Sequence, residues 1–174
     1  MLKILVIFIL VFSNQSKAAD TIRTDTIRDA GDIFQIAMPL AGLGAAYFSE
    51  QEDFKVFTTG LVVNAVLTQG LKYSINRTRP DGGDLSFPSG HTSVAFHSAA
   101  FINKQYGKKF GIPAYVGATI VGYSRVRAKR HYTTDVIAGA LIGIGSNWLA
   151  EKYVETSIHR DSENTLWFKF SKEF

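Results

Sequence analysis

Five apolar stretches that are rich in small residues dominate this sequence and decide its fold class. Glycine and alanine recur along them, most densely at Ala138–Gly145, and such spacing lets helices approach each other closely. Only the C-terminal end alternates apolar and polar residues as a strand does. The sequence therefore predicts an all-α fold, a single helical bundle of about five to six helices. The five stretches cover about residues 33–48, 54–75, 89–105, 112–126 and 134–153.

The first 18 residues have the organisation of a secretory signal peptide. Lys3 precedes an unbroken apolar run, Ile4–Phe12, and Ser16 and Ala18 are the small residues before a cleavage point at Ala19. This run is too short to cross a bilayer unaided, which disfavours the alternative of an uncleaved anchor helix. We therefore expect the mature chain to work outside the cytoplasm.

The remaining chain divides by composition. Residues 19–32 are polar and predict a loose lead-in, whereas the tail at Thr165–Phe174 alternates aromatic and polar residues. That tail is equally suited to packing on the bundle as a strand-like segment and to lying at a lipid interface. The resulting division is a signal peptide at 1–18, a polar lead-in at 19–32, a helical domain at 33–156 and an aromatic C-terminal tail at 157–174.

Charge and cysteine content exclude several classes of function. The formal net charge is +4, and it falls to +2 without the signal peptide, which holds Lys3 and Lys17. This basic excess is too small to indicate a nucleic acid partner. The chain has no cysteine, which excludes disulfide scaffolds, thiolate zinc sites and cysteine nucleophiles. The cleanest apolar runs reach only about 13–15 residues, so a soluble bundle and a membrane-inserted bundle both remain open.

The first of three chemically informative motifs is a pair of cations. Lys72 and Arg79 are separated by about two helical turns, which predicts that they share a helix face. Pro80 disfavours helical geometry at Arg79, so we expect the helix to end there and to leave the guanidinium free to reach into a cleft. Such a pair is most often a solvated surface, and it becomes informative only beside the other two motifs.

The second motif, Phe87-Pro-Ser-Gly-His-Thr92, breaks the chain directly before a helix-forming stretch. The first turn of a helix exposes unpaired N–H groups, and the helix dipole favours an anion there. Gly90 permits close backbone approach and Ser89 adds a hydroxyl donor, while His91 would lie at the mouth of that anion site.

The third motif joins Arg125 to a histidine and a carboxylate. His131 and Asp135 are four residues apart and can share a helix face. A carboxylate that accepts the Nδ1 proton would leave Nε2 of His131 as an unprotonated nucleophile. Arg125 would point elsewhere on a continuous helix, so we predict a break within residues 126–130. The other basic residues of this run, Arg127, Lys129 and Arg130, are interpreted as surface, and His97 as a packed helix residue.

Together the three motifs resemble the signature of the type 2 phosphatidic acid phosphatase family, whose superfamily also holds class A bacterial acid phosphatases and vanadium haloperoxidases. The resemblance covers about Leu71–Asp135 and is specific because all three motifs occur in order at the family's spacing. It implies a helical core and a phosphatase that needs no metal or other cofactor.

By this resemblance, His131 attacks phosphorus to form a phosphohistidine and Asp135 orients it. His91 protonates the leaving alcohol and then activates water. The phosphoryl oxygens are held by Lys72, Arg79, Ser89, Gly90 and Arg125.

The function expected from these inferences is a phosphatase of the bacterial cell envelope that hydrolyses a lipid phosphate monoester or pyrophosphate. Its active site would face the periplasm from a membrane, with no nucleic acid and no obligate protein partner. The main alternative is a soluble secreted acid phosphatase of broad specificity. A vanadium haloperoxidase, a metal hydrolase that uses His91, His131 and Asp135 as ligands, and a non-catalytic membrane protein are weaker alternatives.

Overall fold

A computed structural model describes residues 20–155, 158–160 and 166–168. The predicted signal peptide at 1–18 and the last residues of the tail lie outside the described residues. The all-α prediction is confirmed, and a short antiparallel pair of strands follows the helices. The elements are α1 (Asp20–Tyr47), α2 (Gln51–Ile75), α3 (Gly90–Arg127), α4 (Thr133–Glu155), β1 (Ile158–Arg160) and β2 (Leu166–Phe168).

Helix α3 consists of two segments that meet at Gly107, where φ of 71° and ψ of −174° are not helical. Glycine reaches this positive φ without steric cost. The two segments fold back on each other, since the ring of Phe96 lies 6.0 Å from the ring of Tyr115. The described residues therefore contain five helical segments, and the third and fourth apolar stretches predicted from the sequence correspond to the two halves of α3.

Successive segments run in opposite directions, so one end of the bundle gathers the functional motifs. The end of α2, both ends of α3 and the start of α4 meet there. Gly31, within α1, lies at the same level, because a Cβ atom added to it would be 1.9 Å from Ser124 Oγ. The opposite end contains Gly107 and the turn between α1 and α2, where Gln105 donates a hydrogen bond to Asp53.

The start of α1 differs from expectation. Residues 20–32, predicted to be a loose polar lead-in, are helical from Asp20 onward. Within this stretch Gly31 is buried against α3, and such tertiary packing favours helix where the polar composition gives no signal for it.

Small residues let α4 pack directly on the backbone of α3. A Cβ atom added to Gly139 would lie 2.5 Å from the carbonyl oxygen of Ser89, and one added to Gly143 would lie 2.2 Å from that of Ser93. Such contacts between backbones explain the dense glycine and alanine of this stretch.

The interior also contains a chain of buried polar side chains that links three helices. Asn64 of α2 accepts a hydrogen bond from Ser93 of α3 at 2.8 Å and donates one to Ser146 of α4 at 3.3 Å. His97 is fully buried and its Nε2 is 3.1 Å from the carbonyl oxygen of Phe57, which confirms its interpretation as a packed residue. These polar groups satisfy one another inside the bundle.

Large apolar side chains cover the outside of all four helices. Soluble proteins rarely expose apolar surface on this scale, and membrane proteins present such a surface to lipid. Helix α2 is also long and apolar enough to cross a membrane over Glu52–Ile75. The apolar side chains that are more than half exposed include Ile33, Ile36, Leu40, Val62, Val66, Ile112, Val116, Leu141 and Trp148.

Candidate active site

A cavity of about 520 Å³ opens where the helix ends meet. Six of the eight residues predicted from the sequence line it, and each of the three motifs contributes at least one of them. These six come from α2, the loop after it, α3 and the loop between α3 and α4. The six are Lys72, Arg79, Gly90, His91, Arg125 and His131.

The two cations of the first motif reach the cavity by a different route from the one predicted. Helix α2 ends at Ile75, with Asn76 in the left-handed region at φ 43°, so Arg79 lies in the loop rather than on the helix face of Lys72. A tight turn holds Arg79, whose N–H donates to the carbonyl oxygen of Gly83 at 2.6 Å. The helix ends five residues before Pro80, and the loop that follows brings Arg79 to the cavity wall.

The second motif forms the start of α3, as predicted. Gly90 is its first residue and lines the cavity together with His91. Ser89 is fully buried, and its hydroxyl pairs with that of Thr92 at 2.9 Å. The structure does not bring Ser89 to the cavity, so the predicted hydroxyl donor is not positioned there.

The break predicted within residues 126–130 is present. Helix α3 ends at Arg127, and Lys129 has a positive φ of 55°. This turn brings the N–H groups of Arg130 and His131 to the carbonyl oxygen of Arg125, at 3.0 and 3.3 Å. The chain reversal is what allows Arg125 and His131 to line one cavity.

The partner of the His131 ring differs from the prediction. Nδ1 lies 2.8 Å from the carbonyl oxygen of Ser86, whereas the nearest oxygen of Asp135 is 3.7 Å away, beyond hydrogen-bond distance. A carbonyl oxygen only accepts, so Nδ1 carries the proton and Nε2 carries the lone pair. The expected tautomer is retained, but a backbone group rather than Asp135 fixes it.

Asp135 instead organises the structure around His131. Its buried carboxylate accepts hydrogen bonds from the Ser86 hydroxyl at 2.5 Å, from Arg77 at 2.8 Å and from the Tyr132 N–H at 2.9 Å. The last contact is the carboxylate half of a capping box at the start of α4. Asp135 therefore holds the Ser86 loop against the start of α4 and acts on His131 by charge.

Sequence reasoning missed Arg77 and Ser86, which anchor this arrangement. The guanidinium of Arg77 lies 3.9 Å from the centre of the Tyr132 ring and donates to Thr134 at 2.8 Å, besides its ion pair with Asp135. The only signal available was position, since both residues flank motifs already identified. Their partners lie far along the chain and are invisible without the fold.

Other cavity residues were also missed or assigned to the surface. Arg130 lines the cavity at its exposed rim and pairs with Asp81 at 3.0 Å. The rim loop is thereby tied to the turn after α3. The rest of the cavity wall is mainly polar and comprises Gln35, Asn64, Ala65, Thr68, Gln69, Ser93 and Val94.

The environment of the two histidines favours a neutral nucleophile. Burial, followed by the charges of Lys72 and Arg79, lowers the pKa of His131 to about 4, despite the opposing Ser86 hydrogen bond. Partial desolvation and then the charge of Arg125 lower the pKa of His91 below its usual value. At pH 7 His131 is therefore available as a nucleophile.

Among the residues that the structure describes, no group of three or more histidine and acidic side chains has an arrangement that could hold a metal ion. The carboxylate of Asp135 is surrounded by donors instead.

A family model of the PAP2 superfamily matches residues 54–158 of this sequence. The chain belongs to the PAP2 superfamily. This confirms the resemblance drawn from the three motifs, all of which lie inside the matched range. The superfamily assignment also agrees with the architecture, in which the matched range holds nearly all of α2 and the whole of α3 and α4.

Comparison with single PAP2 relatives gives the same result. The chain is 37% identical over 89 residues to a lipid A 1-phosphatase of Porphyromonas gingivalis, covering 49% of this chain and 20% of the relative. It is 29% identical over 93 residues to the undecaprenyl-diphosphatase BcrC of Bacillus subtilis, covering 49% and 47%. The chain thus spans less than half the length of these two relatives.

The crystal structure of Aquifex aeolicus LpxE superposes on this fold with a TM-score of 0.69 at 25% identity, covering 86% of this chain and 94% of that one.

Proposed function

We propose that this PAP2 protein is a phosphatase that removes phosphate from a lipid through a phosphohistidine on His131. One observation carries the proposal. His131, with its proton held on Nδ1 by a backbone carbonyl, shares a cavity with His91 and with the cations Lys72, Arg79 and Arg125. A nucleophile, an acid–base group and an anion site in one cavity are the components that phosphoryl transfer needs.

In the first step, Nε2 of His131 attacks phosphorus. A P–N bond forms as the bond between phosphorus and the leaving oxygen breaks, and protonated His91 gives its proton to that oxygen. The three cations and the N–H of Gly90 at the start of α3 neutralise the charge on the phosphoryl oxygens. The substrate's own negative charge favours the protonated form of His91, which offsets the cations around it.

In the second step, neutral His91 takes a proton from water and the hydroxide attacks phosphorus. The P–N bond breaks, inorganic phosphate leaves, and His131 returns to its neutral form. In both steps this chain's own groups position the reactants, transfer the proton and stabilise the developing charge.

The exposed apolar faces of the helices support a lipid substrate and a membrane location. A bundle that presents apolar side chains outward and buries its polar groups matches a bilayer as solvent. The relatives named as a lipid A phosphatase and an undecaprenyl-diphosphatase point to lipid phosphate monoesters and pyrophosphates of the bacterial envelope. We further propose that the cavity faces the periplasm, in keeping with the secretory signal expected at residues 1–18.

The decisive experiment is phosphate release by the detergent-purified full chain in the presence of a chelator. Phosphatidic acid, an isoprenoid pyrophosphate and lipid A are compared with p-nitrophenyl phosphate, for wild type, His131→Ala and the control His159→Ala. We expect lipid-selective release that His131→Ala abolishes and His159→Ala retains. Release from the soluble ester alone would favour a secreted acid phosphatase, and chelator-sensitive release would refute the phosphohistidine mechanism.

The orientation has its own test, because the chain has no cysteine of its own. A cysteine at exposed Asp84 in the loop beyond α2, or at exposed Glu50 before α2, marks opposite ends of a helix about 37 Å long. In intact cells with a permeable outer membrane, an impermeant maleimide should label Asp84→Cys and spare Glu50→Cys. The reverse pattern would refute a periplasmic active site.

A further inference from the structure

An acidic side chain of α1 lies against the arginine of the third motif. Asp32 accepts a hydrogen bond from Nη2 of Arg125, and Nε of the same guanidinium donates to Ser124 at 3.1 Å. The Arg125 side chain is only 9% exposed, whereas that of Asp32 is 47% exposed. Two edges of the guanidinium are thus held by protein, and its remaining N–H groups are available to a ligand in the cavity it lines.

The position of Asp32 is fixed by the neighbouring residue. Gly31 packs so closely on α3 that an added Cβ atom would collide with the Ser124 side chain. Helix α1 therefore presents Asp32 to Arg125 from a backbone in direct contact with α3. The pair is a built part of the bundle, since both residues lie on helices whose approach requires glycine at this point.

Asp32 also balances the positive charge around His91. Desolvation contributes most to lowering the pKa of His91, the nearby cations lower it further, and Asp32 raises it. Removing this carboxylate would therefore disfavour the protonated form that donates to the leaving oxygen. The charged groups that face His91 are Arg125 of α3, Lys72 of α2, Arg79 of the following loop and Asp32 of α1, and the same cavity is lined by His131 and Arg130.

Building on the phosphatase function proposed above, we propose that Asp32 is a positioning residue of the reaction. It holds the guanidinium of Arg125 in the orientation that meets the phosphoryl group, and it supplies an acidic counter-charge beside His91. Asp32 itself does not touch the reacting atoms.

The test is the pH dependence of kcat/KM for Asp32→Asn, with Asp32→Glu as the conservative variant. Asp29→Asn is the matched control, because it removes the same charge from an exposed position one turn earlier on α1. Asp32→Asn should lower kcat/KM about tenfold at pH 7, because one charge-assisted hydrogen bond is lost. It should also move the alkaline limb of the pH profile to lower pH. Asp32→Glu should restore that limb, and Asp29→Asn should match wild type.

Three results would overturn the inference. A faster Asp32→Asn enzyme that inorganic phosphate inhibits more strongly would mean that Asp32 competes with substrate for Arg125. A lowered melting temperature with an unmoved pH profile would mean that the pair only joins two helices. Asp32→Ser provides a second neutral variant with the same expectation. The His131→Ala variant separates the two proposals. If it is active, the phosphohistidine mechanism is refuted. If it is inactive and Asp32→Asn behaves like wild type, only the role of Asp32 is refuted.

Discussion

From the position of Asp135 we can predict how far the substitution Asp135→Asn lowers kcat. In wild type its carboxylate lies 3.7 Å from Nδ1 of His131 without accepting that proton, which goes to the Ser86 carbonyl. The substitution removes the charge and keeps the shape, so His131 should retain its tautomer and its orientation. What is lost is the attraction between the carboxylate and the positive charge that, in the proposed mechanism, grows on the ring as the P–N bond forms.

At an effective dielectric constant of about 20, two unit charges 3.7 Å apart interact by about 4–5 kcal/mol, which is a factor of about 10³ in rate. Arg77 shares the same carboxylate and reduces its effect on His131. We therefore expect kcat to fall about 10²- to 10³-fold. The buried amide also cannot accept from all three present donors, so unfolding should become easier by about 1–3 kcal/mol.

The assay is release of phosphate at saturating substrate, together with thermal unfolding in detergent. Ser86→Ala is the matched control: it removes one hydrogen bond to the same carboxylate but leaves the charge and the backbone carbonyl, and should cost less than tenfold in kcat. If Asp135→Asn were as inactive as His131→Ala, the carboxylate would be the acceptor that orients the ring. If it were within threefold of wild type, the charge would have no role.

Three further predictions follow from the described contacts. Because the pKa of His131 is about 4 in the folded chain and 6.5 is its ordinary value, the free energy of unfolding should fall as pH drops from 6.5 toward 4, which denaturant titrations at several pH values will measure. Gly143→Ala should destabilise the bundle by about 1–3 kcal/mol or prevent folding, whereas Gly145→Ala, with open space around it, should leave the melting temperature nearly unchanged. Arg77→Met should lower the free energy of unfolding by about 1–2 kcal/mol, a value discounted for the partial exposure of Arg77 in its ion pair with Asp135. It should also lower kcat more than it raises KM.

Local sequence patterns predicted most of the helical architecture. The apolar stretches predicted the helical segments, and the need to turn Arg125 and His131 toward one ligand predicted the break after α3. The extent of α1 could not be predicted because residues 20–32 are polar, and their sequence carries no signal for the contact that Gly31 makes with α3.

The site itself was predicted unevenly for the same reason. The motifs identified six of the residues that line the cavity, since the chemistry of those residues is visible in their types. The motifs do not identify the residues that position those groups. Ser86 is 45 residues from its partner His131 in the sequence, and Asp32 is 93 residues from its partner Arg125. Such partners depend on which helix ends meet in space, and no local pattern encodes that.

The buried polar chain through Asn64, Ser93, Ser146 and His97 has a consequence for assembly at the membrane location proposed above. Among the described helices, α2 alone is long and apolar enough, by length and composition, to cross a membrane. Helices α3 and α4 carry hydroxyls and an imidazole that are satisfied mainly by each other and by α2. We expect α2 to enter the bilayer first and the later helices to enter together against it, so that insertion and tertiary folding are one event for the C-terminal half of the chain.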